Sequence, residues 1–197
     1  MKAILISIQP KWAAKILNGE KTIEIRKTMP KCDLPIDVYI YCTKDSKHKL
    51  EYCDINEGCW SANDGGDYYN GKVVAKFTLN KVEEIKVGVF TKMNNLGFPT
   101  KWITKDTNSL TNSQLLDLSC LTNEQLNNYL DTIWFSGKQH ICGYAWHIDN
   151  LVVFDKPMEL NQFEHEVKIR DNVRGYIYDI KPLTKAPQSW CYVEVDE

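Results

Sequence analysis

Long apolar segments are missing from this sequence of 197 residues. Its longest apolar stretches, such as residues 151–154, fall far short of the ~20 apolar residues that a membrane-spanning helix needs. The start of the chain is basic and then apolar, but charge returns at Lys11, before an apolar region as long as that of a signal peptide has formed. We therefore expect a cytoplasmic protein that contacts no membrane.

Cysteine is too sparse for a disulfide scaffold. The seven cysteines are an odd number, whereas small secreted domains held by disulfides carry cysteine at higher density and in even number. We interpret them as reduced thiols. Cys42, His48, Cys53 and Cys59 have the residue types of a zinc site, but their spacing lacks the short C-x₂₋₄-C element of zinc knuckles. We expect no metal and no cofactor, although the sequence leaves zinc binding by these four residues open.

Charge of one sign is not in excess, and motifs for several enzyme classes are missing. The formal net charge is −2, which argues against a strongly basic nucleic-acid-binding protein. However, residues 1–50 contain nine Lys and one Arg against five acidic residues, so this quarter is basic and the remainder is acidic. The sequence has no Gly-rich phosphate loop, no G-x-S-x-G elbow and no H-E-x-x-H pair. P-loop hydrolases, α/β serine hydrolases and zincins therefore have no support.

Alternation of apolar and polar residues predicts short strands joined by loops. The clearest strands are residues 3–8, 72–80 and 139–154, and the last is long enough to bend between two sheet regions. Proline and glycine positions predict a helix between residues 10 and 19, and a capping-box pattern starts another at residue 122. About five to seven strands with few helices predict an α+β, mainly β fold, either a small twisted sheet or a barrel.

The densest polar group lies between residues 19 and 27, where the predicted helix ends and a short strand begins. Glu24 and Arg26 are two residues apart on this strand, so they share one face with Cα atoms about 6–7 Å apart, and Lys21 is close enough to reach them. Such a group could bind a phosphate or a base edge, because Arg and Lys donate and Glu accepts. Lys21 and Glu24 could also act as an acid/base pair. The remaining alternative is a salt-bridge ladder with a purely structural role.

Gly19-x-Lys21-x-x-Glu24-x-Arg26 resembles the GxKxxExR signature of the ASCH family (activating-signal-cointegrator homology), part of the PUA-like superfamily. The segment 6–13 before it resembles the opening strand and helix of the family. Further segments look like those of phage and bacterial members, namely 26–31, 143–148, 155–157 and 186–190.

The resemblance implies a PUA-like β-pseudobarrel with a few flanking helices, one domain over residues 1–197, and variable insertions at about 44–71 and 89–138. It also implies that the protein binds RNA or a modified nucleoside in a cleft lined by Lys21, Glu24 and Arg26. We expect phosphate contacts from basic residues around this cleft: Lys11, Lys15, Lys27 and Lys31. The oligomeric state stays open.

The resemblance also leaves an enzymatic alternative. Some ASCH members are nucleoside amidohydrolases and others are ribonucleases, so Lys21 and Glu24 are the candidate catalytic residues of a deacylase or ribonuclease. In the amidohydrolase type a threonine nucleophile follows the lysine by three positions, and this sequence has Glu24 there. A third alternative is a module for protein–protein contacts in which the motif serves only as scaffold.

Aromatic residues and one histidine complete the candidates. Bases stack on aromatic rings, and the aromatic residues in polar, turn-rich settings are Trp60, Tyr68, Tyr69 and Trp190. Ser189, next to Trp190, is a candidate partner for base edges. His147 alternates with small residues that leave room for a ligand, so we include it as a binding candidate. We expect Trp12 and Trp146 to be core residues, because they lie on apolar faces.

Overall fold

The computed structural model of the chain consists mainly of β-strands. It describes residues 1–53, 58–63, 69–93, 99–130, 140–171 and 175–195. The strands are β1 (Lys2–Ile8), β2 (Ile23–Arg26), β3 (Ile36–Cys42), β4 (Lys49–Cys53), β5 (Cys59–Asn63), β6 (Val73–Leu79), β7 (Val82–Met93), β8 (Pro99–Asp106), β9 (His140–His147), β10 (Asp149–Met158), β11 (Phe163–Asp171), β12 (Gly175–Pro182) and β13 (Trp190–Val195). The helices are α1 (Pro10–Leu17), α2 (Asn112–Ser119) and α3 (Asn123–Tyr129). None of the helices in these described ranges is long and apolar enough to span a bilayer.

The strands form three sheets. A seven-stranded sheet has the order β10-β6-β3-β1-β13-β11-β12, a four-stranded sheet has the order β2-β9-β7-β8, and β4 pairs with β5. β1 runs parallel to β3 and antiparallel to β13. The predicted α+β, mainly β fold is confirmed. Within the described part of the chain each sheet has two edge strands, so none of the sheets closes into a barrel.

The chain divides into two compact units. Unit 1 comprises Met1–Gly19, Pro35–Leu79 and Asp149–Glu197, and it contains the seven-stranded and two-stranded sheets together with α1. Unit 2 comprises Glu20–Leu34 and Asn80–Ile148, and it contains the four-stranded sheet, α2 and α3. The expectation of one domain over residues 1–197 stays a prediction.

The core of unit 1 forms where β1 and β3 are buried on both faces. Six of the seven residues of β1 are buried, because this strand is central in the seven-stranded sheet. On β3 the alternating residues Ile36, Val38, Ile40 and Cys42 are buried, and so are Tyr39 and Tyr41 on the other side. The Tyr39 ring packs edge-on against Phe163 with ring centroids 5.0 Å apart. α1 begins with Pro10 at its first turn, and Gly19 follows its end at φ +73°, a conformation that glycine adopts without strain.

The core of unit 2 lies between the four-stranded sheet and its helices. Isoleucine and alanine side chains of β2, β7 and β9 pack against leucines of α2, α3 and the residue after α3, namely Ile23, Ile25, Ile85, Ala145, Leu115, Leu126 and Leu130. Gly143 of β9 permits this packing, since a Cβ there would lie 2.6 Å from Leu130 Cδ2. Both helices begin with a capping box, from Thr111 to Gln114 and from Thr122 to Gln125.

The expected variable segments contain strands that the sequence pattern did not predict. Residues 44–71 include β4 and β5, and residues 89–138 include β8 and α2 as well as the predicted α3. The segment 139–154, predicted as one long strand that bends between two sheet regions, forms two strands, β9 and β10. They belong to different sheets, as the bend had suggested. Asn150, just after the break, has φ +48°. Tyr68 lies outside the described residues.

Candidate functional site

Lys21, Glu24 and Arg26 lie together in unit 2 as a buried ion-pair group. Lys21 Nζ is 3.2 Å from Glu24 Oε2, and Arg26 Nε is 3.1 Å from Glu24 Oε1. The residues are only 3%, 9% and 7% exposed, respectively. The structure thus brings together the three residues that the motif singled out, in mutual contact and with little access for solvent.

Lys21 is held by backbone as well as by Glu24. Its ammonium donates to the carbonyl of Ile23 at 2.8 Å and to that of Ser119 at 2.9 Å. Ser119 is the last residue of α2, where the carbonyl ends of the helix favour a cation. Two backbone carbonyls and one carboxylate oxygen match the three N–H donors of an ammonium group. The group therefore ties β2 to the end of α2.

The register of β2 and β9 separates His147 from this group. Ile23 pairs with His147, whereas Glu24 pairs with Trp146, so His147 and Glu24 point to opposite faces of the sheet. Trp146 is fully buried, which confirms it as a core residue. On the His147 face, Leu130 occupies the space beside Gly143 that small residues had suggested for a ligand.

His147 belongs instead to a second polar group, centred on Glu83 of β7. His147 Nε2 and Lys81 Nζ lie 2.8 Å and 3.1 Å from Glu83 Oε2, and Ser109 Oγ donates to both carboxylate oxygens. Burial raises the pKa of the Glu83 carboxyl, but the hydrogen bonds from Ser109, His147 and Lys81 and the charge of Lys81 outweigh it and lower this pKa to about 2. The group stabilises a buried carboxylate at the junction of β7, β9 and the turn before α2. The sequence analysis missed Glu83, because a glutamate on a polar strand end has no distinctive spacing.

The other lysine candidates of unit 2 lie at its surface. Lys27 and Lys31 are exposed, and Lys27 Nζ lies 5.6 Å from the centroid of the Tyr129 ring. Both therefore remain accessible to a polyanion, and neither lies in the buried ion-pair group.

The candidates Lys11, Ser189 and Trp190 lie in unit 1. Lys11 Nζ is 5.0 Å from the centroid of the Trp12 ring. The backbone N–H of Ser7 donates to the Ser189 carbonyl at 2.9 Å, and Trp190 is half-buried and packs edge-on against Tyr192. The candidate residues are thus divided between the two units.

Unit 1 contains a cavity of about 750 Å³ at the end of β1. Its inner wall is formed by Ser7 and Tyr41, which are buried, and its rim carries the exposed Lys44 and Lys185. The rest of the lining is Thr43, Gly71, Glu159, Leu160, Asn161, Leu183, Thr184, Ala186, Pro187 and Gln188. Ser7 Oγ donates to the Pro187 carbonyl at 2.6 Å, which holds the loop before β13 against β1. We call this feature the unit 1 cavity.

Sequence reasoning did not select Tyr41, Lys44 or Lys185 for the site. These residues meet because β1 pairs with β3 on one side and with β13 on the other, so that the segments following β3 and preceding β13 lie side by side. The pairing of strands that far apart in the sequence leaves no local pattern. Among the sequence candidates, Ser189 and Trp190 pointed toward this part of the chain, where Gln188 lines the cavity.

The cysteine–histidine set does not assemble over the described side chains. His48 contacts Asp45, with Nδ1 3.1 Å from Oδ2, and Cys42 is buried with its thiol 3.6 Å from Asn70 Oδ1. Burial, aided by the charge of Asp45, raises the pKa of the Cys42 thiol to about 12, which disfavours the thiolate that zinc requires. The Cys53 side chain lies outside the described residues. No group of three or more potential ligands was found among those that are described.

Comparison with known proteins agrees with this fold. A family model for the ASCH domain matches residues 6–106. The crystal structure of ASCH from Zymomonas mobilis aligns with a TM-score of 0.50 at 17% identity, over 98% of this chain and 87% of that chain. A Tyr-to-Phe mutant of that protein aligns with a TM-score of 0.51 at 16% identity, over 98% and 91%. No curated protein matches the sequence. Since the family model covers half of the chain, the protein belongs to the ASCH domain family, which is PUA-like and associated with RNA binding.

Proposed function

We propose that this ASCH protein binds RNA or a modified nucleoside, and that the ligand enters the unit 1 cavity. The observation that carries the proposal is the combination of size and lining in this cavity. A volume of about 750 Å³ falls in the range typical of small-molecule sites. The association of the family with RNA binding supports this class of ligand.

The lining supplies the contacts that a nucleotide needs. Lys44 and Lys185 at the rim can neutralise a phosphate. Gln188 presents an amide, the group that pairs with two adjacent polar atoms of an adenine edge, and Thr43 offers a hydroxyl that both donates and accepts. Burial raises the pKa of the Tyr41 hydroxyl, so this group stays protonated at neutral pH and can donate to a base or ribose oxygen.

The sequence analysis placed the ligand in a cleft lined by Lys21, Glu24 and Arg26. These side chains are buried and in contact with one another, so a ligand there would compete with the carboxylate of Glu24 for both cations. The unit 1 cavity requires no such exchange. We therefore propose the cavity as the binding place and assign the buried ion-pair group a supporting role in unit 2.

Calorimetric titration with nucleoside monophosphates tests this placement. Lys44→Ala combined with Lys185→Ala should weaken binding by about tenfold or more, because each lysine contributes a charge-assisted contact. Lys156→Ala, which removes an exposed lysine of β10 outside the cavity, is the control and should bind like wild type.

Arg26→Ala separates the two placements. If the cavity is the site, the folded fraction of this variant binds with wild-type affinity. The opposite result would be loss of binding in a folded Arg26→Ala variant with unchanged binding in the double lysine variant. It would refute the cavity as the binding site and favour the group of Lys21, Glu24 and Arg26.

An enzymatic function is the second candidate, and the contact between Lys21 and Glu24 supports it. Their charged atoms are 3.2 Å apart, within the reach needed for proton transfer in an acid/base pair. Mass spectrometry of acylated nucleosides and of short RNA after incubation with the protein tests for turnover. Turnover that Glu24→Gln abolishes supports a deacylase or ribonuclease. An inactive wild-type protein leaves the binding function.

A further inference from the structure

The hairpin of β11 and β12 extends beyond the rest of its sheet. β11 pairs with β13 only at Phe163 and Glu164 in the described structure, whereas its pairing with β12 continues to Asp171 opposite Gly175. Every residue of β12 is exposed, and β12 is an edge strand. We call residues 166–171 of β11 together with residues 175–180 of β12 the ribbon.

One face of the ribbon is aromatic and basic. Tyr176, Tyr178 and Ile180 alternate along β12 and are 61%, 61% and 51% exposed. The residues directly opposite Tyr176 and Tyr178 on β11 are Arg170 and Lys168, and both are exposed. Since opposite residues of an antiparallel pair share a face, two tyrosines and two cations form one continuous surface.

One cation of this face is already held beside an aromatic ring. Lys168 Nζ lies 3.9 Å from the centroid of the Tyr176 ring, a cation–π contact that holds the ammonium beside an aromatic face. Tyr176 and Tyr178 are two residues apart, which places them about 6–7 Å from each other along the strand. Two rings at this spacing can each stack one of two successive bases, while the cations contact the phosphates between them.

We propose that this face of the ribbon binds a single strand of nucleic acid. The inference deepens the proposed function and rests on it for the class of ligand, but it concerns a different surface of unit 1. Charge complementarity selects this partner. Toward the Asp171–Gly175 pair the aromatic face carries Lys168 and Arg170, whereas Glu166 lies opposite Ile180 at the other end of the ribbon.

Addition of a strand from another chain fits the ribbon less well. The edge of β12 carries the charged residues Asp179 and Lys181 and ends at Pro182, all features that oppose edge-to-edge pairing. The exposed tyrosines project from a face of the ribbon and not along its edge, so stacking uses them and strand addition does not.

Fluorescence anisotropy with a labelled single-stranded uridine 12-mer tests the ribbon in the full chain. Tyr176→Ala with Tyr178→Ala should weaken binding by about tenfold or more, the effect of losing stacking on two bases. Lys168→Ala with Arg170→Ala should make the plot of log affinity against log salt less steep. The magnitude of its negative slope should fall by about 1.4, or about 0.7 for each phosphate that the variant no longer neutralises. Ile177→Ala changes the opposite face without changing the charge and should bind like wild type.

The outcomes separate the ribbon from the cavity. The ribbon variants should bind nucleoside monophosphates with unchanged affinity, whereas the variants of Lys44 and Lys185 should bind them more weakly. If the monophosphates do not bind but the 12-mer does, in a manner sensitive to the tyrosines, the cavity is refuted and the ribbon stands. The ribbon is refuted if wild type does not bind the 12-mer or if the tyrosine variant behaves like the control. It is also refuted if sedimentation shows a wild-type dimer that the tyrosine variant abolishes, because a second copy would then occupy this face.

Discussion

Glu24 contacts both cations of the buried ion-pair group and balances part of the charge of Lys21 and Arg26. Its two oxygens lie 3.2 Å and 3.1 Å from the two cations. Removing one member of a buried ion pair leaves its partner desolvated and uncompensated, which costs far more than the loss of a surface pair. The chemistry of the motif therefore predicts a large effect on stability, whatever the group binds.

Glu24→Ala should reduce the free energy of unfolding by about 3–5 kcal/mol. Urea denaturation at pH 7 measures this loss. Glu84→Ala provides a comparison on β7 of the same sheet, because the Glu84 side chain is 43% exposed and lies 3.6 Å from Lys86. Such surface pairs contribute below about 1 kcal/mol. Equal losses in the two variants would contradict a buried, structurally important ion pair.

Glu83 predicts a dependence of stability on acid. Its pKa in the folded protein is about 2, below the ordinary value of 4.5, so the folded state favours the carboxylate. The stabilisation is complete above pH 4.5 and is lost as the pH falls toward 2, because the unfolded chain takes up the proton first. Wild type should therefore be more stable than Glu83→Gln at pH 6, and this advantage should shrink between pH 4.5 and pH 2. Urea midpoints at several pH values measure it, and a constant difference would contradict the assignment.

At the scale of elements, capping boxes determine where α2 and α3 of unit 2 begin. The Thr122 hydroxyl accepts from the Gln125 N–H, and the Gln125 side chain accepts from the Thr122 N–H, so each satisfies one backbone donor. The helix then places Leu126, which is fully buried, in the core of unit 2. The end of α2 similarly supplies the carbonyl that holds Lys21.

Thr122→Ala should lower the free energy of unfolding by about 1 kcal/mol, since the cap hydroxyl is lost. Thr122→Ser keeps the hydroxyl and should remain close to wild type. Thermal unfolding followed by circular dichroism distinguishes the two substitutions. An alanine variant as stable as the serine variant would show that the capping box does not stabilise α3 in the folded protein.

Elements with a strong local pattern could be predicted from the sequence, whereas those stabilised by distant partners could not. Residues 72–80 alternate clearly and form β6, and the capping box at Thr122 starts α3. β4 and β5 alternate over only five residues each, within a polar stretch, and β8 is mostly polar. In the described structure each of these strands pairs with an adjacent strand of the chain, which a short local pattern does not reveal. The candidate site divides in the same way. Lys21, Glu24 and Arg26 are neighbours in sequence, whereas Ser7 and Pro187 meet across 180 residues.

At the scale of the whole molecule, the chain passes repeatedly between its two units, so neither unit is a continuous segment. Unit 1 is built from three segments and unit 2 from two. The net charge of −2 is distributed in the same discontinuous manner, with the basic residues 1–50 contributing to both units. Total charge therefore describes solubility better than it describes the ligand.

This discontinuity predicts that the segment matched by the family model does not fold alone. A fragment of residues 1–106 retains β1, β2 and β7 but lacks β13, which pairs with β1, and β9, which lies between β2 and β7 in the four-stranded sheet. Among the described strands, β2 then has no partner and β7 keeps one only on its β8 side. The fragment should show no cooperative thermal transition and little dispersion of amide signals in a proton–nitrogen correlation spectrum. Co-expression with residues 107–197 should restore both, since it returns β9 and β13. Cooperative unfolding of the fragment by itself would show that the N-terminal half carries its own core.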